Sequence, residues 1–277
     1  MDFTGKKGLV LGVANDHSIA WAIAKQIMDA GGEIGFTHLP DRPDDERKRN
    51  RRRVAQCTDT YPQHTKFLVP LDVQKDDEIA SLMEQAKQSF GKIDFLLHSI
   101  AFATLDDLKG ETIATSRDGF KLAMEISAYS LLAVTNAAKD IFNEGGSVLT
   151  LTYFGGERIV PGYNVMGICK AALDACMKYA AFDMGGRGIR VNALSAGPLK
   201  TLASTAVGAK GMESLYEEVA PLARNVTKDE VGRVGAFLLS SCSSGITAEI
   251  MHVDCGYNAM GSPGRLLDKI KSASKSA

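Results

Sequence analysis

Short apolar runs alternate with helix-period segments along nearly the whole chain, and that alternation narrows the folds open to it. Residues 7–12, 33–37, 67–73, 93–98, 147–152, 189–194 and 250–254 are runs of strand length rich in Val, Ile, Leu and Phe. Helical patterns stand between them. One starts at Ser18 and sets Ile19, Ile23 and Ile27 on one stripe. Others cover 76–90, 117 to about 141, a segment running to about 184, and 228–239. Gly91 stops the second of these, and Gly145-Gly146 and Gly185-Gly186 break the next two. Continuous apolar strands separated by helices are buried on both faces, which is the habit of parallel sheets with crossover connections. The expected fold class is α/β. It is a single-domain Rossmann-like doubly wound parallel sheet over residues 1–277, with a helical substrate lid at about 201–215 and a polar, frayed tail at about 269–277. No repeat or linker divides the chain.

Composition excludes several classes of function. Apolar residues make up 45% and charged residues 23%, with a net charge of −1. Such a chain has no global attraction to nucleic acid or to an anionic membrane. No run approaches the ~18–20 apolar residues of a spanning helix. The start, Met1-Asp2-Phe3-Thr4, lacks the basic and apolar regions of a signal peptide. Five scattered cysteines with no C-x-x-C pair argue against a metal site or a disulfide framework. The expectation is a cytoplasmic protein with no metal.

The first strand and helix enclose Gly12-Val13-Ala14-Asn15-Asp16-His17-Ser18. Gly12 permits a tight turn, and N–H groups near Ser18 and Ile19 open a helix able to hold a pyrophosphate. The glycine fingerprint of dinucleotide-binding turns is incomplete here, and a turn with no ligand is the competing reading. A ribose-reading acid is expected at the end of the second strand, but Leu39-Pro40 stands there. Residues 41–53 then carry seven basic and four acidic side chains. They read as a solvated face, with a cofactor 2′-phosphate site as the alternative. Asp72 accepts from an adenine amino group or caps the next helix. Ser99-Ile100-Ala101-Phe102-Ala103 are small or apolar residues at a strand's carboxyl edge, where ligands of open α/β sheets lie. His98 reads as a satisfied core histidine.

The chemistry concentrates in Tyr153…Tyr163…Lys170. Tyr163 and Lys170 are seven residues apart, close to two helical turns and about 10 Å of rise, so both can face one cleft. A phenol can donate to a developing oxyanion. An ammonium can bind hydroxyls and favour the phenolate. Ordinary packing tyrosines and a solvated lysine are the plain alternative.

Taken together, these residues resemble the short-chain dehydrogenase/reductase superfamily, and within it the bacterial enoyl-[acyl-carrier-protein] reductases. The resemblance spans about residues 4–262. Its carriers are Gly12…Ser18-Ile19-Ala20, Asp72-Val73, His98–Ala103, Tyr153, Tyr163-x6-Lys170 and Ala196-Gly197-Pro198-Leu199-Lys200-Thr201-Leu202-Ala203. It implies hydride transfer from NADH, with NADP(H) left open, to the β-carbon of a trans-2-enoyl thioester on acyl carrier protein. It implies Tyr163 as oxyanion donor, Lys170 on the ribose hydroxyls and Tyr153 beside the acyl group. Gly12, Ser18, Ile19, Leu39, Asp72, Val73, Ser99, Ile100, Leu199, Lys200, Thr201, Leu202 and Ala203 would line the cofactor, and Ala103 the substrate. It also implies a homotetramer. The long segments at 117–141 and 165–184 agree, being apolar on more than one face. A ketone reductase of the same superfamily and a non-enzymatic cofactor sensor remain as alternatives.

Overall fold

A computed structural model describes residues 1–199 and 212–275. Seven parallel strands form one sheet in the order β3-β2-β1-β4-β5-β6-β7. They are β1 (Lys7–Leu11), β2 (Glu33–His38), β3 (Thr65–Pro70), β4 (Ile93–His98), β5 (Phe142–Thr152), β6 (Arg190–Ala196) and β7 (Ile250–Val253). The order reverses between β1 and β4, where Leu11 pairs with His98. Loops leave that seam in opposite directions and open a crevice at the carboxyl edge.

Alternation along the strands divides the core. Leu9, Leu11, Leu96, Val148, Val191 and Ala193 face one side, against α3 (Asp76–Phe90), α6 (Ser130–Ala138) and α7 (Asn164–Gly185). Val10, Phe95, Leu97, Leu149, Leu194 and Ala196 face the other, against α1 (Ile19–Asp29), α2 (Arg49–Thr58) and α9 (Lys228–Leu239). The outer helices α4 (Leu105–Leu108) and α5 (Arg117–Met124) flank the crevice. Helix α8 (Met212–Val219) follows residues 200–211, and α10 (Leu266–Lys275) closes the described chain.

Three expectations change. The segment 117–141 is not one helix: α5 passes through a π-helical stretch, Glu125–Tyr129, into α6, which ends at Ala138. β5 therefore starts earlier, at Phe142, and runs through Gly145-Gly146. The tail is helical over Leu266–Lys275. Its charged side chains grip α8, with Arg265 donating to the Ala220 carbonyl and Lys269 paired with Glu218. The expected lid at 201–215 lies mostly outside the described residues; its end, from Met212, is the start of α8.

Candidate active site

The crevice begins at Gly12. Its φ is +92°, and a Cβ there would sit 1.9 Å from the Ser99 carbonyl oxygen. Only glycine lets β1 turn this closely past the loop after β4. The Ser99 N–H donates to the Leu11 carbonyl at 3.1 Å, so the two loops are stitched at their roots. Ser18 shapes the following turn, with Oγ accepting from the N–H groups of Ala14 and Asn15 at 3.0 and 3.1 Å. No side chain caps α1, and its first turn carries no acid. The leading N–H groups of an eleven-residue helix are thus left for an anion at the mouth of the crevice.

Leu39 projects into solvent, 64% exposed, just past β2. Asp72 does not cap α3: Lys75 holds the N-cap position, and Asp72 Oδ1 accepts from the Gln74 N–H at 3.1 Å. The Val73 side chain is buried in the core and leaves only backbone toward the loop. Ile100 and Leu199 pack partly against the two core halves. Lys200, Thr201, Leu202 and Ala203 lie outside the described residues. The loop after Ser99 is pinned by Ser127, whose Oγ accepts from the Phe102 N–H at 2.9 Å and donates to the Phe102 carbonyl at 3.1 Å. Ser127 belongs to the π-helical stretch, which turns an interior hydroxyl toward the crevice. His98 is fully buried between Ser130 Oγ at 2.8 Å and Thr150 Oγ1 at 3.1 Å. Burial and the nearby Lys170 charge push its imidazole down to about 3. It is a neutral core residue, as its sequence setting indicated.

Across the crevice, β5 ends at Thr152 and delivers Tyr153. The rings of Tyr153 and Tyr163 meet edge to face, with centroids 4.8 Å apart at 67°. Gly155 makes room for them: a Cβ there would lie 2.4 Å from Tyr163 Cδ1. Tyr163 packs with Ala103, Leu108 and Met124 around Ala123, Val165, Met166 and Cys169. Burial, then Tyr153, raises the Tyr163 phenol well above its ordinary range, so it stays protonated. Its hydroxyl has no partner among the described residues. Tyr163 occupies the N-cap position of α7, and Asn164 follows at φ +43°. The pair therefore does not span two turns of one regular helix. Asn164 Nδ2 donates to the carbonyls of Leu108 and Gly110, each at 3.0 Å, and ties the far loop to the base of Tyr163.

Lys170 is buried on α7 and donates to the Leu151 carbonyl at 2.7 Å. Burial lowers its ammonium to about 8, while Asp174, one turn on, supports the charge. No hydrogen bond joins Lys170 to Tyr163. The expectation that the ammonium favours a phenolate is thus corrected: burial decides, and Tyr163 remains a donor. Asp174 Oδ1 and Thr152 Oγ1 are buried without a protein partner. Leaving such an atom bare costs about 1–3 kcal/mol, and a polar niche of this kind suits an ordered water. Sequence reading missed Ser127, Asn164 and Asp174. It also missed Tyr216, whose hydroxyl lies 3.0 Å from that of Tyr153.

A parallel sheet whose reversal point carries a glycine turn, an open helix N-terminus, a protonated tyrosine and a buried lysine defines a short-chain dehydrogenase/reductase. The family model described as Enoyl-(Acyl carrier protein) reductase matches residues 12–258, and the chain belongs to that family. It is 47% identical over 262 residues to the enoyl-[acyl-carrier-protein] reductase [NADH] FabI of Nostoc, covering 94% of this chain and 99% of the relative. It is 48% identical over 260 residues to the Bacillus cereus enzyme of the same name, covering 93% and 98%. The solved Bacillus cereus enzyme with NADP+ and an indole naphthyridinone superposes with a TM-score of 0.89 at 47% identity, covering 95% of this chain and 100% of that one. The Anaplasma phagocytophilum enzyme with NAD superposes with a TM-score of 0.87 at 41% identity, covering 94% and 96%.

Proposed function

We infer that this protein reduces the double bond of a trans-2-enoyl thioester on acyl carrier protein, with NADH as reductant. The observation that carries the reading is the Tyr163 hydroxyl, protonated and unpartnered among the described residues, set over the crevice whose other wall begins at Gly12. A dinucleotide fits that crevice, because the backbone approach at Gly12 and the acid-free start of α1 suit a pyrophosphate. When bound, the nicotinamide supplies the hydride that reaches the substrate β-carbon.

The chain's own residues do the rest. Ser18 and Ile19 hold the phosphates. Asp72 and the Val73 backbone flank the adenine, Leu39 lies on its outer side, and Ser99, Ile100 and Leu199 through Ala203 hold the nicotinamide end. Lys170 donates to ribose hydroxyls. Tyr163 donates to the thioester oxygen as negative charge gathers there, and one such donor is worth about 3–4 kcal/mol of barrier. Tyr153 and Ala103 face the acyl group. The surrounding loops expose Phe102 (49%), Leu105 (54%), Ile113 (92%) and Ile159 (96%), an apolar approach suited to an acyl chain and not to a sugar.

The protein works as a cytoplasmic homotetramer. Among the described residues no helix is long and apolar enough to cross a membrane. On α7, Tyr179 is 75% and Phe182 85% exposed, an apolar face that a neighbouring copy would cover.

A second reading concerns the reductant. Arg42, Arg47 and Lys48 are exposed beside the end of β2 and make no ion pair among the described residues, which leaves them open to a 2′-phosphate. Following cofactor absorbance with a short trans-2-enoyl thioester, under NADH and then NADPH, tests both readings. The expected result is turnover faster with NADH, and faster than with a 3-ketoacyl thioester. A faster 3-ketoacyl rate overturns the enoyl assignment, and a faster NADPH rate moves the cofactor choice to the basic loop.

A further inference from the structure

Tyr216 joins the tyrosine pair from a separate element. Helix α8 buries its ring to 2% exposure. Tyr257 stacks on that ring, with centroids 3.6 Å apart and planes 9° apart. The Tyr216 hydroxyl then meets the Tyr153 hydroxyl at 3.0 Å. Tyr257, Tyr216, Tyr153 and Tyr163 thus run as one contiguous row of rings into the crevice.

Burial assigns the direction of the hydrogen bond. Each phenol has one proton to give and lone pairs with which to accept. A deeply buried O–H that fails to donate keeps its whole desolvation penalty. Among the described residues, the Tyr153 oxygen is the only partner of the Tyr216 hydroxyl. Tyr153 is only half-buried and opens on the crevice. Tyr216 therefore donates and Tyr153 accepts, which leaves the Tyr153 proton free. Hydrogen bonds in such a chain polarise one another, so an accepting phenol is also a better donor.

We propose that Tyr216 is a positioning residue for the reduction, its hydroxyl donating to Tyr153 and turning the Tyr153 proton toward the thioester. Tyr216 keeps its own proton throughout. The stack on Tyr257 holds the ring so that its hydroxyl has one direction to point. This rests on the reading that Tyr153 faces the acyl thioester.

The test is a double-mutant cycle on the full-length enzyme, assayed with NADH and a short trans-2-enoyl thioester. Tyr216→Phe keeps the ring and its stack and removes only the hydroxyl. It should lower kcat about fivefold, the scale of one neutral hydrogen bond, and leave the KM for NADH unchanged. In the Tyr153→Phe background the same change should cost less than about twofold, because the two hydroxyls act as one unit. Equal losses in both backgrounds reduce Tyr216 to a packing residue and overturn the proposal. So does a wild-type rate for Tyr216→Phe when Tyr153→Phe is slow. A wild-type rate for Tyr153→Phe itself removes the underlying reading of Tyr153. Placing 3-fluorotyrosine at position 216, a stronger donor of nearly the same shape, guards against misfolding of the phenylalanine variant. It should hold or raise kcat, and a lowered kcat with intact NADH binding counts against the proposal.

Discussion

Tyr163 and Lys170 respond to burial in opposite ways, and the difference assigns their roles. Burial penalises the charged form of each. For Tyr163 the result is a phenol that stays neutral and donates. For Lys170 it is an ammonium weakened to about 8, retained with help from Asp174. Tyr163→Phe removes the donor and little volume. We expect kcat to fall at least tenfold with the fold intact by circular dichroism, and unchanged turnover would refute the oxyanion role. The lysine supplies a pH test. The groups facing it are His98 on β4, and Cys169 and Asp174 on α7. His98 is neutral above about 3 and the Cys169 thiol is pushed up to about 11 by burial, so Asp174 is the acid that supports the charge. The ammonium is present below about pH 8 and lost above it. The KM for NADH should therefore rise as pH climbs through that value. Asp174→Asn withdraws the support, so the rise should begin at lower pH; a profile that stays in place would show that the carboxylate is not coupled to Lys170.

At the scale of elements, the strand and helix alternation carried most of the fold. The spans of β4, α3 and α9 agree with the residues read from periodicity and glycine stops. What periodicity cannot express is a change of hydrogen-bond pitch inside a helix. The π-helical stretch at Glu125–Tyr129 keeps an unbroken helical composition, so the aim of Ser127 at Phe102 was invisible. Asn164 was missed for a related reason: a single residue at φ +43° interrupts a helix whose sequence runs on. Tyr216 and Tyr153 are 63 residues apart, and no local signal joins them. Lys170 and Tyr163 were legible because they share one short segment. The link from β5 to α7 also carries a steric prediction. Gly155→Ala drives a methyl into the Tyr163 ring, where a Cβ would stand 2.4 Å from Cδ1. Overpacking of this kind costs about 1–3 kcal/mol, which is several degrees of melting temperature in a chain of this size. The ring must turn to escape, so kcat should drop at least tenfold while calorimetry shows that modest loss. A normal rate would mean that the ring can shift without consequence.

The molecule as a whole leaves its α7 face incomplete. Tyr179 and Phe182 project from a helix whose other side is core, and a monomer in water would carry that apolar surface at a penalty. Tyr179→Glu with Phe182→Glu should shift the mass seen by light scattering from about four chains toward fewer, and an unchanged mass would move the interface elsewhere. The last helix, α10, has a different reach. It holds α8 through Arg265 and Lys269, and α8 carries Tyr216. A stop codon before residue 264, or a bulky fusion at that end, would then work like a loosened hinge pin. It would leave every reacting group in place and still slow the enzyme by freeing the helix that steadies one phenol.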